Sequence, residues 1–523
     1  MQKGNEIISI KPRVYQEAII NTAKNNNTLV VLPTGLGKTL IALYLSIHRI
    51  QKYPGEKILF LAPTRPLIEQ HINYFKKYLP ELYAQLELFT GHISPKERVK
   101  LFHQADIIFS TPQCIANDIS HGLYSLQNIS LLIIDESHRC LKNYDYTKVV
   151  KSYKENSLHT RILGLTASPG HDSAIVKQIC NHLDIEEIEL RTRTSEDVKP
   201  YLQELEFDKI EVPFPKEFLE IKILLKHIYD SKIQQLQSRN LLFGPINKIT
   251  LLKTQARLAS QASQRNFNAL IGMSLTAQAI KIAHAIELLE TQTLSGLSDY
   301  LQGLVQQAKE KKTKGVQTLV NSGEFQASLL SLKRLLDNKI EHPKVEELSV
   351  LVEEEFKINP NAKIIVFAQF RNTLTLLNER LNKIKGIKSK VFVGQAKKTN
   401  LSGDTTGLNQ KEQKAIIDEL NTGKINIICA SSIGEEGLDI SEVNLVIFYE
   451  PIPSAIRSIQ RRGRTARLSK GKLIILITKD TRDVINHYAS TAREKKMHTT
   501  ISKIKEDMKK EKGNKVRTLK DFK

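Results

Sequence analysis

Short β-branched runs separated by amphipathic stretches fill the first two hundred residues. TLVVL, KILFLAP, DIIFSTP, LLIIDE and ILGLTAS each close on small or polar residues before a helix-like segment begins. That alternation predicts a parallel sheet covered by helices over residues 1–205. From 206 to 342 the period changes: FLEIKILLKHIYDSKIQQLQ and AQAIKIAHAIELLETQTL repeat their apolar positions at helical spacing, with hardly a strand-like run between them. We expect an all-helical insert there. The alternation returns at 343 with KIIVFAQF, KSKVFVGQ, INIICASS, LVIFYEP and KLIILIT, which predicts a second α/β domain to about 490. Residues 491–523 include KEDMKKEKGNKVRTLKDFK and have too few apolar positions for a core, so a frayed helix or flexible basic tail is expected.

A chain of 523 residues is too long for one core and fits about three domains. Its formal charge of +21 concerns partners rather than fold: a basic surface attracts polyphosphate backbones, which makes nucleic acid the expected partner. The insert is the most one-sided part, with 16 Lys plus Arg against 7 Asp plus Glu between residues 221 and 340. The run Lys309–Gly315 (KEKKTKG) reads equally as a solvated face or as a phosphate contact. Four scattered cysteines without a C-x-x-C pair support neither zinc nor a disulfide framework, and fit a reduced, cytoplasmic setting. MQKGNEIISI lacks a signal-peptide core and no stretch approaches a membrane span, so no membrane partner is expected.

Chemistry is concentrated where the predicted strands end. Leu32-Pro33-Thr34-Gly35-Leu36-Gly37-Lys38-Thr39 lies between a strand and a helix, the setting of a phosphate-binding loop, although Leu32 stands where the strict pattern opens with Gly. Gly35 and Gly37 let backbone amides close on phosphates, Lys38 reaches the β and γ phosphates, and Thr39 offers a hydroxyl to Mg²⁺. LLIIDESHR then supplies Asp135 for the Mg²⁺ shell and Glu136 to orient and deprotonate the attacking water. His138 is a candidate link from this site to the other domain. Upstream, Arg13 and Gln16 precede the loop, and a Gln amide offers the donor and acceptor an adenine edge needs. Thr166-Ala167-Ser168 reads either as structural or as a γ-phosphate sensor. In the second domain SSIGEEGLDI supplies Gly437 and Asp439, the latter for a ribose hydroxyl. In QRRGRTAR, Arg464 and Arg467 share a helical face as candidate arginine fingers and Gln460 faces the γ-phosphate or the water. Arg461 and Arg462 read equally as structural partners of carboxylates across the cleft.

In order, PTGLGKT, APTRPL, STPQ, DESH, TAS, VFAQF, GEEGLDI and QRRGRTAR resemble the motifs of superfamily 2 helicases. More narrowly, FYEPIPSAIRSIQRRGRTAR, HAIELLETQTLSGL and FVGQAKK with GLNQKEQKAI are similar to the archaeal Hef helicases and their eukaryotic FANCM relatives, over about residues 7–500. The resemblance implies two RecA-like domains with ATP between them, a helical insert that grips branched or double-stranded DNA, and 3′ to 5′ translocation that remodels forks in repair and recombination. It also puts Thr64, Arg65, Thr111, Gln113, Arg371 and Ser432 near the tracked strand. The chain departs from the family in reading DESH for DEAH and in having Ala466 where Gly is commoner. No segment resembles the nuclease and helix-hairpin-helix modules of full-length Hef, so the chain is expected not to cut DNA unless it is a fragment or works with a separate nuclease or clamp. A monomer is expected. The competing reading is a double-stranded RNA motor of the RIG-I or Dicer type, which shares the two-domain core and the position of the insert.

Overall fold

A computed structural model describes residues 8, 10–202, 205–262, 266–396, 398–399, 405–431, 443–454, 457, 459, 461, 465 and 470–520. The first α/β domain is built from β1 (Thr28–Val31), β2 (Lys57–Leu61), β3 (Leu86–Phe89), β4 (Ile107–Ser110), β5 (Ile129–Ile134), β6 (Ile162–Thr166) and β7 (Glu187–Leu190). They form one sheet in the order β3-β4-β2-β5-β6-β1-β7, every neighbouring pair parallel. β1, β4 and β5 are buried along their whole length, which is why they read as continuous apolar runs rather than alternating ones. Helices on both faces close two cores, one around Leu132, Val149 and Ile179, the other around Ile19, Ile41 and Phe75.

The second sheet contains β8 (Leu205–Val212), β9 (Ile364–Phe367), β10 (Ser389–Phe392), β13 (Ile427–Ala430), β14 (Leu445–Phe448) and β15 (Gly471–Thr478), in the order β10-β13-β9-β14-β15-β8 and parallel throughout. A short antiparallel pair, β11 (Lys398–Thr399) with β12 (Thr405–Thr406), lies apart from it. β8 changes the expected organisation. It falls inside the segment read as purely helical, yet it pairs with β15 over all eight of its residues and forms the edge of the second sheet. Its pattern is mostly exposed, as an edge strand allows, so no apolar run announced it.

Helices from Leu219–Ser238 to Gly323–Asp337 form the insert between the two sheets. Its central helix, Phe267–Thr291, is long and apolar enough to cross a membrane, contrary to the sequence reading that nothing approached that length. The reason lies in packing: Ile282, Ala285 and Leu289 meet Ile221, Leu225 and Ile228 on one side, and Ala269, Leu275 and Ala279 meet Leu236, Leu251 and Leu258 on another. A helix covered on several sides loses its polar face.

The C-terminal segment is not a loose tail. Arg482–Lys520 is one helix. Met497, Ile501 and Ile504 are buried within the core of the first domain, and Lys505 lies 3.8 Å from Glu189. Of the two expected alternatives a helix forms, and it docks because four apolar residues, Met497, Ile501, Ile504 and Met508, recur at intervals of four, three and four and make one stripe on an otherwise charged helix.

Candidate active site

Five strand ends of the first sheet bring the predicted residues together. After β1 the chain turns through Gly35 at φ 83° and Gly37 at φ 76°, and Gly37 caps the helix Lys38–Lys52. The amides of that helix start point along the helix dipole and suit an anion. A Cβ on Gly37 would lie 2.3 Å from Gln16 Nε2, so the loop and Gln16 fit only without a side chain there. Lys38 Nζ donates to Leu32 O at 2.9 Å, across the base of the loop. Pro33 and Thr34 are half-buried between them.

Gln16 is 2% exposed and already engaged. Its Oε1 accepts from the Arg13 backbone N–H at 2.8 Å, and its Nε2 donates to Leu36 O at 3.1 Å. The Tyr15 hydroxyl donates to the same carbonyl at 2.9 Å. One hydrogen and one lone pair of the amide remain for a base, so Gln16 clamps the phosphate loop as much as it offers an adenine edge. Arg13 stacks its guanidinium 4.9 Å from the centre of the Tyr201 ring.

Thr39 and Asp135, the predicted metal ligands, are joined through a residue the motifs did not single out. His71 Nδ1 lies 3.4 Å from Thr39 Oγ1, and His71 Nε2 lies 2.8 Å from Asp135 Oδ2. Asp135 is also held by its backbone: its N–H donates to Leu61 O at 2.9 Å, and its carbonyl accepts the Tyr146 hydroxyl at 2.7 Å. Burial alone would raise the Asp135 carboxyl, but His71, Lys38 and the Glu136 N–H outweigh it and hold it below the usual range. An ionised carboxylate and a hydroxyl bridged by one imidazole offer hard-oxygen donors of the kind Mg²⁺ takes.

Glu136 sits in the left-handed region at φ 47°, where the strand breaks into the turn Ser137–Arg139. His138 Nδ1 lies 3.2 Å from Glu136 Oε2 and 3.2 Å from Thr166 Oγ1. His138 therefore meets both Glu136 and Thr166 of its own domain, and the expected link to the other domain falls on segments outside the described residues. From there Thr166 Oγ1 accepts the Ser168 N–H at 3.1 Å, and Ser168 Oγ reaches Met497 Sδ at 2.8 Å on the C-terminal helix.

Two neighbouring strand ends carry the expected strand-tracking residues. Thr64 caps the helix Arg65–Tyr78 after β2, and Thr111 caps Pro112–Ser120 after β4, with Gln113 exposed in its first turn. Arg65 Nε donates to Glu69 at 2.6 Å. In the second domain Arg371 opens the helix Arg371–Leu381 and donates to Ala396 O at 2.7 Å and Gly394 O at 3.2 Å. Arg461 is buried, 4.7 Å from the Phe367 ring centre and 5.5 Å from that of Phe448. It packs against the core of the second sheet, within the charge field of Glu450. Ser432, Gly437, Asp439, Gln460, Arg462, Arg464 and Arg467 lie outside the described residues.

His71, Tyr15 and Tyr146 are the functional neighbours that motif reading missed. His71 had a signal: it interrupts the buried stripe Ile68, Ile72, Phe75 of its helix, where an imidazole needs polar partners.

Comparisons with known proteins follow this layout. Residues 13–175 match the family model "DEAD/DEAH box helicase", residues 217–339 match "Putative ATP-dependent RNA helicase, helical bundle", and residues 343–469 match "Helicase conserved C-terminal domain". The chain is 35% identical over 498 residues to "Putative ATP-dependent RNA helicase MJ1505" of Methanocaldococcus jannaschii, with 95% of this chain and 61% of that protein aligned. It is 33% identical over 492 residues to "Putative ATP-dependent DNA helicase fml2" of Schizosaccharomyces pombe, at 90% and 61% coverage. The chain thus spans about three fifths of the length of these relatives. The solved Pyrococcus furiosus Hef helicase domain superposes with a TM-score of 0.70 at 40% identity, covering 92% of this chain and 98% of that one.

Proposed function

Because the chain belongs to the Hef-type helicases of superfamily 2, we propose that it is an ATP-dependent translocase that works on forked or branched DNA. The observation that carries the ATPase part is the meeting of Lys38, Thr39, His71, Asp135 and Glu136 at neighbouring strand ends. The phosphates of ATP rest on the amides of the Gly35–Thr39 loop, with Lys38 turning from Leu32 O toward the γ-phosphate. Thr39 and Asp135 would hold Mg²⁺, which would supply charge neutralisation for the phosphates. His71 keeps these two ligands at their spacing, and Glu136 orients the attacking water and takes its proton. Gln16 and Arg13 border the base, with Gly437 and Asp439 on the ribose. From the second domain, Arg464 and Arg467 reach the transition-state charge and Gln460 the γ-phosphate, so hydrolysis is tied to closure of the two sheets.

DNA is preferred as the polymer on the wording of QRRGRTAR and on the Hef and fml2 likeness. Thr64, Arg65, Thr111, Gln113, Arg371 and Ser432 contact one strand, and the basic insert contacts the branch. The chain acts as a monomer that moves DNA, with a separate nuclease or clamp protein as its candidate partner. A double-stranded RNA substrate is the second reading, favoured by the RNA-helicase wording of the relative from M. jannaschii and of the insert's family model. ATPase activation by forked DNA, linear duplex and double-stranded RNA at one stated salt concentration separates them. Forked DNA is expected to activate most, and activation by RNA alone would replace this reading. Lys38→Ala and Glu136→Gln are each expected to abolish turnover, by at least about a hundredfold, while DNA binding persists. DNA-stimulated hydrolysis surviving in either variant would refute the site.

A further inference from the structure

The insert carries a groove whose composition is unlike the rest of the surface. Between Asp230 and Glu287 the chain has no acidic residue, while seven Lys or Arg fall in the same interval. Within this stretch one face of the central helix is left uncovered. Phe267 is 74% exposed and Leu270 50% exposed, and the same face continues through Met273, half-buried against the cluster around Leu236 and Leu258, to Lys281. From Leu270 onward it forms one wall of a cleft of about 370 Å³, closed on the other side by Thr313–Val316. Lys281 and Lys314 line its cationic end, where the Lys309–Gly315 run arrives. Gln278, only 5% exposed, also lines the cleft. Its Nε2 donates to Ser274 Oγ at 3.2 Å, and its Oε1 has no partner among the described residues.

Exposed apolar side chains gain nothing from phosphates, and a duplex presents little else along its flanks. Unpaired bases differ: each offers an apolar face to stack and a polar edge that can donate a hydrogen bond, with a phosphate at every step. The strip from Phe267 to Lys281 rises about 21 Å along the helix, the length of about six stacked nucleotides. We propose that this groove holds the unpaired strand of a forked DNA, with bases stacked along Phe267, Leu270 and Met273 and phosphates at Lys281 and Lys314. The absence of acidic groups selects an anionic occupant, and the exposed rings and alkyl chains select one with bases. The proposal rests on the DNA-motor reading but fails separately from it.

The test uses the full chain and measures the anisotropy of fluorescein-labelled oligothymidylate and of a labelled blunt duplex. Phe267→Ser/Leu270→Ser and Lys281→Gln/Lys314→Gln alter exposed or rim positions, and unchanged thermal melting verifies that each folds. Each pair is expected to weaken oligothymidylate binding by at least about fivefold, the low end for loss of a stacking partner, with duplex affinity little changed. Oligothymidylate affinity equal to wild type in both pairs overturns the proposal. So does displacement of the bound oligothymidylate by polyglutamate at equal charge, which would mark the groove as a seat for an acidic protein segment. Wild-type ATPase indifferent to every DNA would sink the motor reading while leaving this binding result standing.

Discussion

Gly37 and Gln16 are fitted to one another at atomic distance, and that fit has a measurable consequence. An alanine at 37 must adopt φ near 76°, which costs about 1–2 kcal/mol, and must also displace Gln16 Nε2 from a point 2.3 Å from the new Cβ. Gly37→Ala is expected to lower the unfolding free energy by about 2–3 kcal/mol, measured by urea denaturation. Gly37→Ala/Gln16→Ala should remove the clash and retain the backbone strain, so it stays about 1–2 kcal/mol below Gln16→Ala alone. Equal stability of those two variants would place the whole effect in packing. The loop itself was legible because its chemistry is written in consecutive residues. His71 was not, because its value comes from standing between Thr39 and Asp135, residues 32 positions before and 64 after it, which only the register of β1, β2 and β5 brings together.

At the scale of elements, parallel strands were readable wherever burial was complete, as in β4 and β5, while the partly exposed β3, β7 and β8 went unnamed and the partly exposed β10 was still legible from its β-branched run. β8 is an exposed edge that follows the first domain in sequence and joins the second in space, a pairing without a local signal. The C-terminal helix did carry one in the spacing of Met497, Ile501, Ile504 and Met508, hidden by the surrounding lysines. Since Ile501 is fully buried against the first domain, Ile501→Ala should destabilise that domain by about 2–4 kcal/mol. Substituting Lys509, outside that stripe, should change stability by less than about 0.5 kcal/mol. Equal effects at the two positions would mean that the helix does not pack as a structural strap.

The insert, the second sheet and the C-terminal helix meet at a buried polar junction. Lys344, at the start of the helix Pro343–Ile358, pairs with Asp483 of the C-terminal helix with both side chains fully buried, and donates to Thr291 O at the end of the insert's central helix. Beside it Gln292 Nε2 donates to Glu450 Oε2 at 3.3 Å, and Thr373 Oγ1 donates to Gln292 Oε1 at 2.9 Å, so insert, second sheet and C-terminal helix share one network. Burial pushes the Glu450 carboxyl up to about 7, against the opposing pull of the Arg461 and Lys344 cations. The folded state therefore binds this proton more tightly than the unfolded chain, whose ordinary value is 4.5. The resulting stabilisation is complete below about pH 4.5 and is lost as pH rises through about 7, a swing of at most about 3 kcal/mol. Glu450→Gln keeps the amide within reach of Gln292 and removes the ionisation. Its stability relative to wild type should rise across that window and level off above it, read from urea denaturation at a series of pH values. A difference independent of pH would mean that Glu450 ionises normally in the folded protein. Because Arg461 sits within the same charge field and immediately precedes the predicted arginine fingers in sequence, the ATPase of Glu450→Gln should lose part of its stimulation by DNA while keeping its basal rate, since the network reaches Arg461 and does not touch the Lys38 site.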